Sequence, residues 1–376
     1  MAAVKKVLVI GGGFSGMSAA IKMRRNGIEV DLVEIDPEWC ELGAGITING
    51  ASMRALETLG LYDLVVQQGC VTDGVGIHMA HGPLIAELPT PSPVGSSVGG
   101  SGGIFRPTLA RIMSDATIAA GVNVRLGCTY TKIDLAEDSV SVTFTDETTQ
   151  TYDLVVGADG VHSSIRKEFF PEVPAPEYIG QGVWRAIMPR PAEINRVTMW
   201  MGNHLKLGVN PVSDTHMYMF ITEDRPTKEH IDKDTWPQVF ADLMKNFPNP
   251  IVEALIPHAF EESANIDYRP LANLLVKAPW NKGRLVMIGD TVAATTPHLA
   301  SGAGIGIESG IVLADELANN DDLNVAFDRF HERRWERCRI VVENSARLCN
   351  IEINGGDKIE HSTIMKESLI ALSQPI

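Results

Sequence analysis

Cysteine is scarce in this chain. Its five cysteines, Cys40, Cys70, Cys128, Cys338 and Cys349, are odd in number, scattered and never in C-x-x-C spacing. That excludes a disulfide framework and a dithiol redox centre, and leaves reduced structural thiols. No apolar run is long enough to span a bilayer, and Met1-Ala2-Ala3 passes into Lys5-Lys6 without a signal-peptide pattern. A cytoplasmic protein with no membrane insertion is therefore expected. Basic residues are outnumbered, 32 against 47 acidic ones, for a net charge of −15. Nucleic-acid backbones and anionic membranes are thereby poor partners, whereas an anionic small molecule held in a local basic pocket is not excluded. No metal site is expected.

What is present is a chain of 376 residues, 44% hydrophobic and 21% charged, enough to bury a large core in two domains. The organising stretch is residues 7–34, VLVIGGGFSGMSAAIKMRRNGIEVDLVE. Residues 7–10 read as a buried parallel strand, and the turn after them carries Gly11, Gly13 and Gly16 in G-x-G-x-x-G spacing. A helix follows, ended by Asn26-Gly27, and a second strand runs over residues 28–33. In this β-α-β unit the glycines permit a tight bend, backbone approach to a pyrophosphate and close helix packing. Phe14 and Ser15 lie in the same phosphate turn, at the helix N-terminus. Glu34 ends the second strand, where it can accept hydrogen bonds from ribose hydroxyls. A dinucleotide is expected; at this point FAD and NAD both stay open.

Gly43-Ala44-Gly45 forms a second glycine-rich loop that can lie against a flat ligand, with Thr47 beside it. Residues 76–88 read as strands and 89–103, rich in Pro, Ser and Gly, as a mobile loop. Arg106 opens a helix, a position where the dipole favours acids, so it serves either a ligand phosphate or carboxylate, or solvent. Residues 122–156 alternate with period two as a β-meander, ending in a buried strand that delivers Asp159-Gly160. A second apolar strand ends in Gly289-Asp290, followed by Pro297-His298 and the apolar helix opened by Gly302-Ala303-Gly304.

Taken in order, these motifs resemble those of the class A FAD-dependent aromatic hydroxylases, relatives of p-hydroxybenzoate hydroxylase, with the urate and hydroxynicotinate hydroxylases nearest. The resemblance implies an α/β fold: a Rossmann-type FAD-binding domain over residues 1–76, 100–175 and 280–350, interrupted by a β-sheet-based substrate domain over 77–99 and 176–279, with 351–376 as a C-terminal tail. It implies FAD held by Gly11, Gly13, Phe14, Ser15, Gly16 and Glu34, with Arg106 and Asp159 near the pyrophosphate and ribityl region. Tyr130 would lie by the adenine, Asp290 on the ribityl chain, and Gly43, Ala44 and Gly45 near the isoalloxazine. Gly302, Ala303 and Gly304 present backbone donors to its N1/C2=O edge. Two departures from the family pattern are Ala293, where His is usual, and Ser301, where Gln is usual.

Between the two Asp motifs, His216, Tyr218 and Phe220 share one face of a strand, either a half-buried strand face or a pocket wall. The resemblance favours the wall, with Tyr218 hydrogen-bonding a substrate and His216 or Lys206 balancing its charge. Thr47 and His298 are further pocket candidates, Pro297 joins them at the flavin loop, and Arg185 touches either nicotinamide nucleotide or solvent. Residues 327–347, rich in Arg and Glu at helical spacing, read as a solvated amphipathic helix, with packing on the FAD domain left open. The implied reaction is hydroxylation of an aromatic or N-heteroaromatic small molecule. NADH or NADPH binds transiently, O2 is co-substrate, and oxygen transfer proceeds through a flavin C4a-hydroperoxide. Either a monomer or a homodimer is compatible with this reading. A flavin-dependent reductase, or a catalytically silent FAD-binding sensor, would use the same fold. A halogenase is disfavoured, since Trp184-Arg185-Ala186-Ile187 lacks the W-x-W-x-I-P signature.

Overall fold

A computed structural model describes residues 4–39 and 43–376. Among them the strands Leu285–Met287, Leu154–Gly157, Lys6–Ile10, Glu29–Glu34 and Asn123–Leu126 run parallel in that spatial order. Asn281–Lys282 adds an antiparallel edge. Val7, Leu8 and Val9 are wholly buried, as an unbroken apolar run should be when both faces of a parallel sheet are covered. Each such side chain stabilises the fold by roughly 1.5–3 kcal/mol. The helices Phe14–Arg25 and Gly302–Asn319 pack against each other over small residues. A Cβ on Gly306 would come within 2.4 Å of Ser15 Oγ, and one on Gly310 within 2.3 Å of Ser18 Oγ. The meander Tyr130–Leu135, Val140–Phe144 and Thr149–Tyr152 forms a separate three-stranded sheet that shares the same core.

The larger sheet has eight strands, in the order Ala293–Ala294, Asp267–Leu275, Glu177–Pro189, His216–Asp224, Leu205–Pro211, Val197–Met201, Val75–Met79 and Leu84–Leu88. Strand alternation sends Trp184, Leu207, Met217, Met219 and Ile221 to one face, where the helices Trp236–Met244 and Pro250–Leu255 bury them. The opposite face carries Arg185, Ile187, Lys206, Tyr218 and Phe220.

Two regions differ from expectation. The Pro/Ser/Gly stretch ends in a buried strand, Ser101–Phe105, paired with Gly45–Asn49 and Cys70–Thr72. Its glycines serve contact rather than mobility: a Cβ on Gly102 would lie 2.5 Å from Cys70 O, and one on Gly103 2.4 Å from Pro211 O. The Arg-rich helix is longer than expected, Leu323–Asn354, and it is not simply solvated. Arg334 and Arg337 are buried on Glu308, at 2.8 and 2.7 Å. Arg337 also donates to Leu372 O and Gln374 O at the end of the final helix Lys358–Ser373. Residues 351–376 thus continue one helix and fold a second back upon it. Arginine periodicity reads the same whether a partner carboxylate lies in solvent or on a neighbouring helix.

Candidate active site

The three motifs converge because three neighbouring parallel strands end side by side. Gly11 follows Lys6–Ile10, Asp159 follows Leu154–Gly157, Gly289-Asp290 follows Leu285–Met287, and Glu34 closes the strand on the other side of Lys6–Ile10. Ligands of open α/β sheets bind at this carboxyl edge. Contact is close: a Cβ on Gly11, which has φ +109°, would meet Ala158 O at 2.3 Å, and a Cβ on Gly289 would meet Ser15 Oγ at 2.1 Å. Arg166 fastens the Asp159 loop to the Gly289 turn, donating to Thr291 O at 2.9 Å and Val161 O at 2.6 Å from a buried position. Sequence reasoning missed it, because both of its partners are backbone carbonyls. Asp159 itself caps a helix, accepting from Ser164 N and Ile165 N at 2.8 and 3.1 Å.

The residues present fit a dinucleotide. The helix Phe14–Arg25 has neither a side-chain cap nor an acid in its first turn, so its amides face outward without a protein acceptor from the cap. A Cβ on Gly13 would touch nothing within 4 Å, leaving room for a phosphate against the backbone. Arg106 lies over the Phe14 ring at 5.0 Å, and a Cβ on Gly43 would sit 3.4 Å from Arg106 Cδ. The arginine thus stands between the first glycine turn and the second. Glu34 accepts from Gly12 N at 2.6 Å and from Asp36 N at 2.9 Å. Cys128 N donates to Glu34 O at 3.0 Å, bringing residues 128–130 alongside, while Tyr130 donates to Glu168 Oε2 at 3.1 Å. Burial, and then that carboxylate, raise the Tyr130 phenol, which stays protonated.

A second uncapped N-terminus opens at Gly302–Asn319, again without an acid in the first turn. Ahead of it a single turn spans Pro297–Leu299, followed by Ala300 at φ +48°. Ser301 secures this turn, donating to Leu299 O at 2.7 Å and accepting from Asn49 Nδ2 at 2.7 Å. The Gln-to-Ser departure therefore has a structural partner in Asn49. Ala293 is buried in a short strand paired with Leu275.

The Gly43–Gly45 segment rests on the large sheet: a Cβ on Gly45 would meet Tyr218 Cβ at 2.5 Å, and Ala44, Val212 and Tyr218 form one apolar cluster with Phe105, Ile187 and Phe220. Tyr218 Oη accepts from Arg185 Nε at 3.1 Å, and Arg185 lies 3.6 Å from Asp267. The structure thus places Arg185 at the tyrosine. Thr47 Oγ1 accepts from Asn210 Nδ2 at 3.1 Å. Asn210 is fully buried and also donates to Gly102 O at 2.9 Å. It was not singled out from sequence because its partners come from two other segments.

Three expected pocket residues have partners of their own within the protein. Lys206 is buried against Glu352 at 2.6 Å, since the C-terminal half of the long helix covers its end of the sheet. His298 faces the same helix. Its Nε2 lies 3.3 Å from Glu352, its Nδ1 lies 2.9 Å from Thr296 Oγ1, and burial holds the ring below its ordinary pKa, so it is neutral. His216 lies at the exposed hairpin end, with Nδ1 2.9 Å from Thr215 Oγ1 and its ring 6.2 Å from that of Phe105. Strand alternation gave the correct face for His216, but which end of that face the long helix covers depends on chain far away.

The fold and the two glycine-opened helix starts define a flavoprotein with a Rossmann-type FAD-binding fold. Residues 5–345 match the family described as FAD binding domain, and the chain belongs to it. It is an FAD-dependent monooxygenase of the aromatic-hydroxylase group that its motifs resemble. It is similar to YetM of Bacillus subtilis, 28% identical over 354 residues, covering 94% of this chain and 95% of the relative. It is also similar to 2-heptyl-3-hydroxy-4(1H)-quinolone synthase of Pseudomonas aeruginosa, 29% identical over 344 residues, covering 89% and 86%. In fold it matches the structure of Klebsiella pneumoniae HpxO complexed with FAD and uric acid, with a TM-score of 0.85 at 23% identity, over 99% of this chain and 97% of that one. Among the described residues no helix is long and apolar enough to cross a membrane.

Proposed function

We propose that the chain hydroxylates an aromatic or heteroaromatic small molecule with O2, using NADH or NADPH to reduce its FAD. The observation that carries this reading is the apposition of the Gly43–Gly45 segment to Tyr218, on the sheet face that also presents Arg185 and Phe220. Bound FAD supplies hydride acceptance from nicotinamide and activation of oxygen; the protein supplies position, dryness and charge. Gly11 to Gly16 and the helix start receive the pyrophosphate, Glu34 the ribose, and the start of Gly302–Asn319 the electron-rich edge of the flavin ring. Tyr218 accepts from or donates to a hydroxyl or ring N–H of the substrate, and Arg185, donating to the phenol oxygen, leaves its proton free to donate. The apolar cluster around Ala44, Ile187 and Phe220 excludes water from the reacting ring.

The experiment is oxygen uptake with NADH or NADPH across phenols, hydroxypyridines, quinolones and purines, with products examined by mass after reaction under ¹⁸O2. One labelled oxygen in the product supports the proposal. Ring reduction without label points to a reductase, and the absence of any ligand-stimulated NAD(P)H oxidation points to a silent sensor.

A further inference from the structure

Opposite Tyr218 in the large sheet stands Asn210, its partner in the antiparallel register of Leu205–Pro211 and His216–Asp224. Cross-strand partners share a face, so the two side chains lie side by side. Asn210 is wholly buried, and its partners fix which way the amide lies. Nδ2 is 2.9 Å from Gly102 O, which can only accept, and 3.1 Å from Thr47 Oγ1. Both amide protons are thereby used, and Thr47 is the acceptor, because an amide nitrogen cannot be. The carbonyl Oδ1 is left buried without a partner. A tie between strands needs only the N–H on Gly102. Here the second N–H goes to a hydroxyl, and the orphaned carbonyl lowers stability.

Thr47 is half-buried, two residues beyond Gly45, where a Cβ would strike Tyr218 Cβ at 2.5 Å. Alternation puts Thr47 on that same side of the strand Gly45–Asn49. Among the described residues no acceptor is paired with its proton. Tyr218 is in the same condition, its Oη accepting from Arg185 Nε at 3.1 Å. Asp267 is held more closely by Arg269, at 3.0 Å, than by Arg185, at 3.6 Å, so positive charge remains behind the phenol. Two hydroxyls beside Gly45 therefore accept from fixed N–H donors, and each keeps its own proton to give.

Building on the hydroxylase reading above, we infer that Asn210 is a positioning residue acting through Thr47, and that the substrate ring offers two oxygen acceptors, one to Thr47 and one to Tyr218. Carbonyl and hydroxyl oxygens meet that demand. A ring amine, whose lone pair is drawn into the ring, would set N–H against O–H and leave protons unpaired in a desolvated place. The pair of hydroxyls thus selects by what it refuses as well as by what it binds.

The test reads equilibrium binding, so it does not depend on turnover. FAD-loaded protein without NAD(P)H is titrated under nitrogen with the dihydroxybenzenes and the corresponding aminophenols, all uncharged at neutral pH, and the flavin absorbance change is followed. The best dihydroxybenzene is expected to bind about ten-fold tighter than the aminophenol of the same ring pattern, the scale of one hydrogen bond. Thr47→Val should remove most of that ratio, because the amine then faces a methyl group, and Thr47→Ser should keep it. Asn210→Ala should lower the ratio as Thr47→Val does, and the double substitution should be no worse than Thr47→Val alone, since a residue that acts through another is not additive with it. A merely structural Asn210 would lower the melting temperature and the affinity for every ring alike, with an effect that adds to that of Thr47→Val. That additive result, equal affinities for hydroxyl and amino rings, a ratio unmoved by Thr47→Val, or no ring perturbing the flavin would each overturn the inference. If Asn210→Ala does not fold, Thr47→Val and Thr47→Ser decide, because Asn210 can act only through a threonine that donates. A hydroxyl preference lost in Thr47→Val with no ¹⁸O incorporated would leave this inference standing and remove the hydroxylase reading; labelled product with a ratio indifferent to Thr47 would do the reverse.

Discussion

The glycine-motif edge and the Tyr218 face of this molecule are built from different materials. At the carboxyl edge of the parallel sheet the work falls to backbone: uncapped amides at Phe14–Arg25 and Gly302–Asn319, and glycines where a Cβ would collide at about 2 Å. On the Tyr218 face, and in the helices of the C-terminal part, the work falls to side chains matched across long separations, as in Arg185 with Asp267, Lys206 with Glu352, and Glu308 with Arg334 and Arg337. A backbone site is encoded locally and tolerates no bulk. A side-chain site is encoded by pairs and fails when one partner is lost.

Breaking the side-chain half should cost most in stability. Glu308→Ala leaves Arg334 and Arg337 buried without their carboxylate, and unfolding in urea should show a loss of about 3–5 kcal/mol. An unchanged midpoint would mean that the cluster is solvated in solution. Breaking the backbone half should cost function without fold. A Cβ at Gly13 meets nothing in the protein within 4 Å, so in Gly13→Ala the thermal stability of the flavin-free chain should hold while FAD affinity falls by about 100-fold, as crowding at a phosphate cradle predicts. Retained yellow colour after gel filtration would remove the pyrophosphate from that turn.

At the boundary between the two halves, Tyr218→Phe keeps the ring against Gly45 and deletes only the hydroxyl that receives Arg185. FAD content should be unchanged and kcat/KM should drop about ten-fold or more, the scale of a lost positioned proton-transfer or hydrogen-bonding group. The smallest expected effect is on pH dependence. His298 is buried, and its folded-state pKa lies below its ordinary value near 6.5. The unfolded chain therefore binds the proton more readily, and stability present above about pH 6.5 is lost as pH falls toward the lowered folded value. Glu352, also lowered, acts in the same direction at more acid pH. His298→Gln should flatten the stability profile just below pH 6.5, read as a smaller shift in melting temperature between neutral and mildly acid buffer. An unchanged slope would place that proton elsewhere.

Legibility followed the same division. Gly11, Gly13, Gly16 and Glu34 were readable because the strand, turn and helix that give them meaning lie within 28 consecutive residues, 7–34. The face shared by His216, Tyr218 and Phe220 was readable from alternation. The strand Ser101–Phe105 was not, because Gly102 and Gly103 are required by Cys70 and Pro211, which belong to other strands. Nor was the burial of Arg334 and Arg337, whose partner Glu308 sits on another helix. Arg166 and Asn210 were missed for the same reason: their acceptors are carbonyls and a hydroxyl brought in by folding.

By itself, then, the sequence determined the β-α-β unit, the order of the three motifs and the side of each strand, because steric limits on φ and ψ and the two periodicities act between near neighbours. Only the tertiary structure decided that Lys206 faces Glu352 rather than a ligand, that Arg185 holds Tyr218, and that three strand ends meet in one edge. Charge pairing and desolvation depend on distance in space, and residues 146 positions apart, such as Lys206 and Glu352, acquire that distance only on folding.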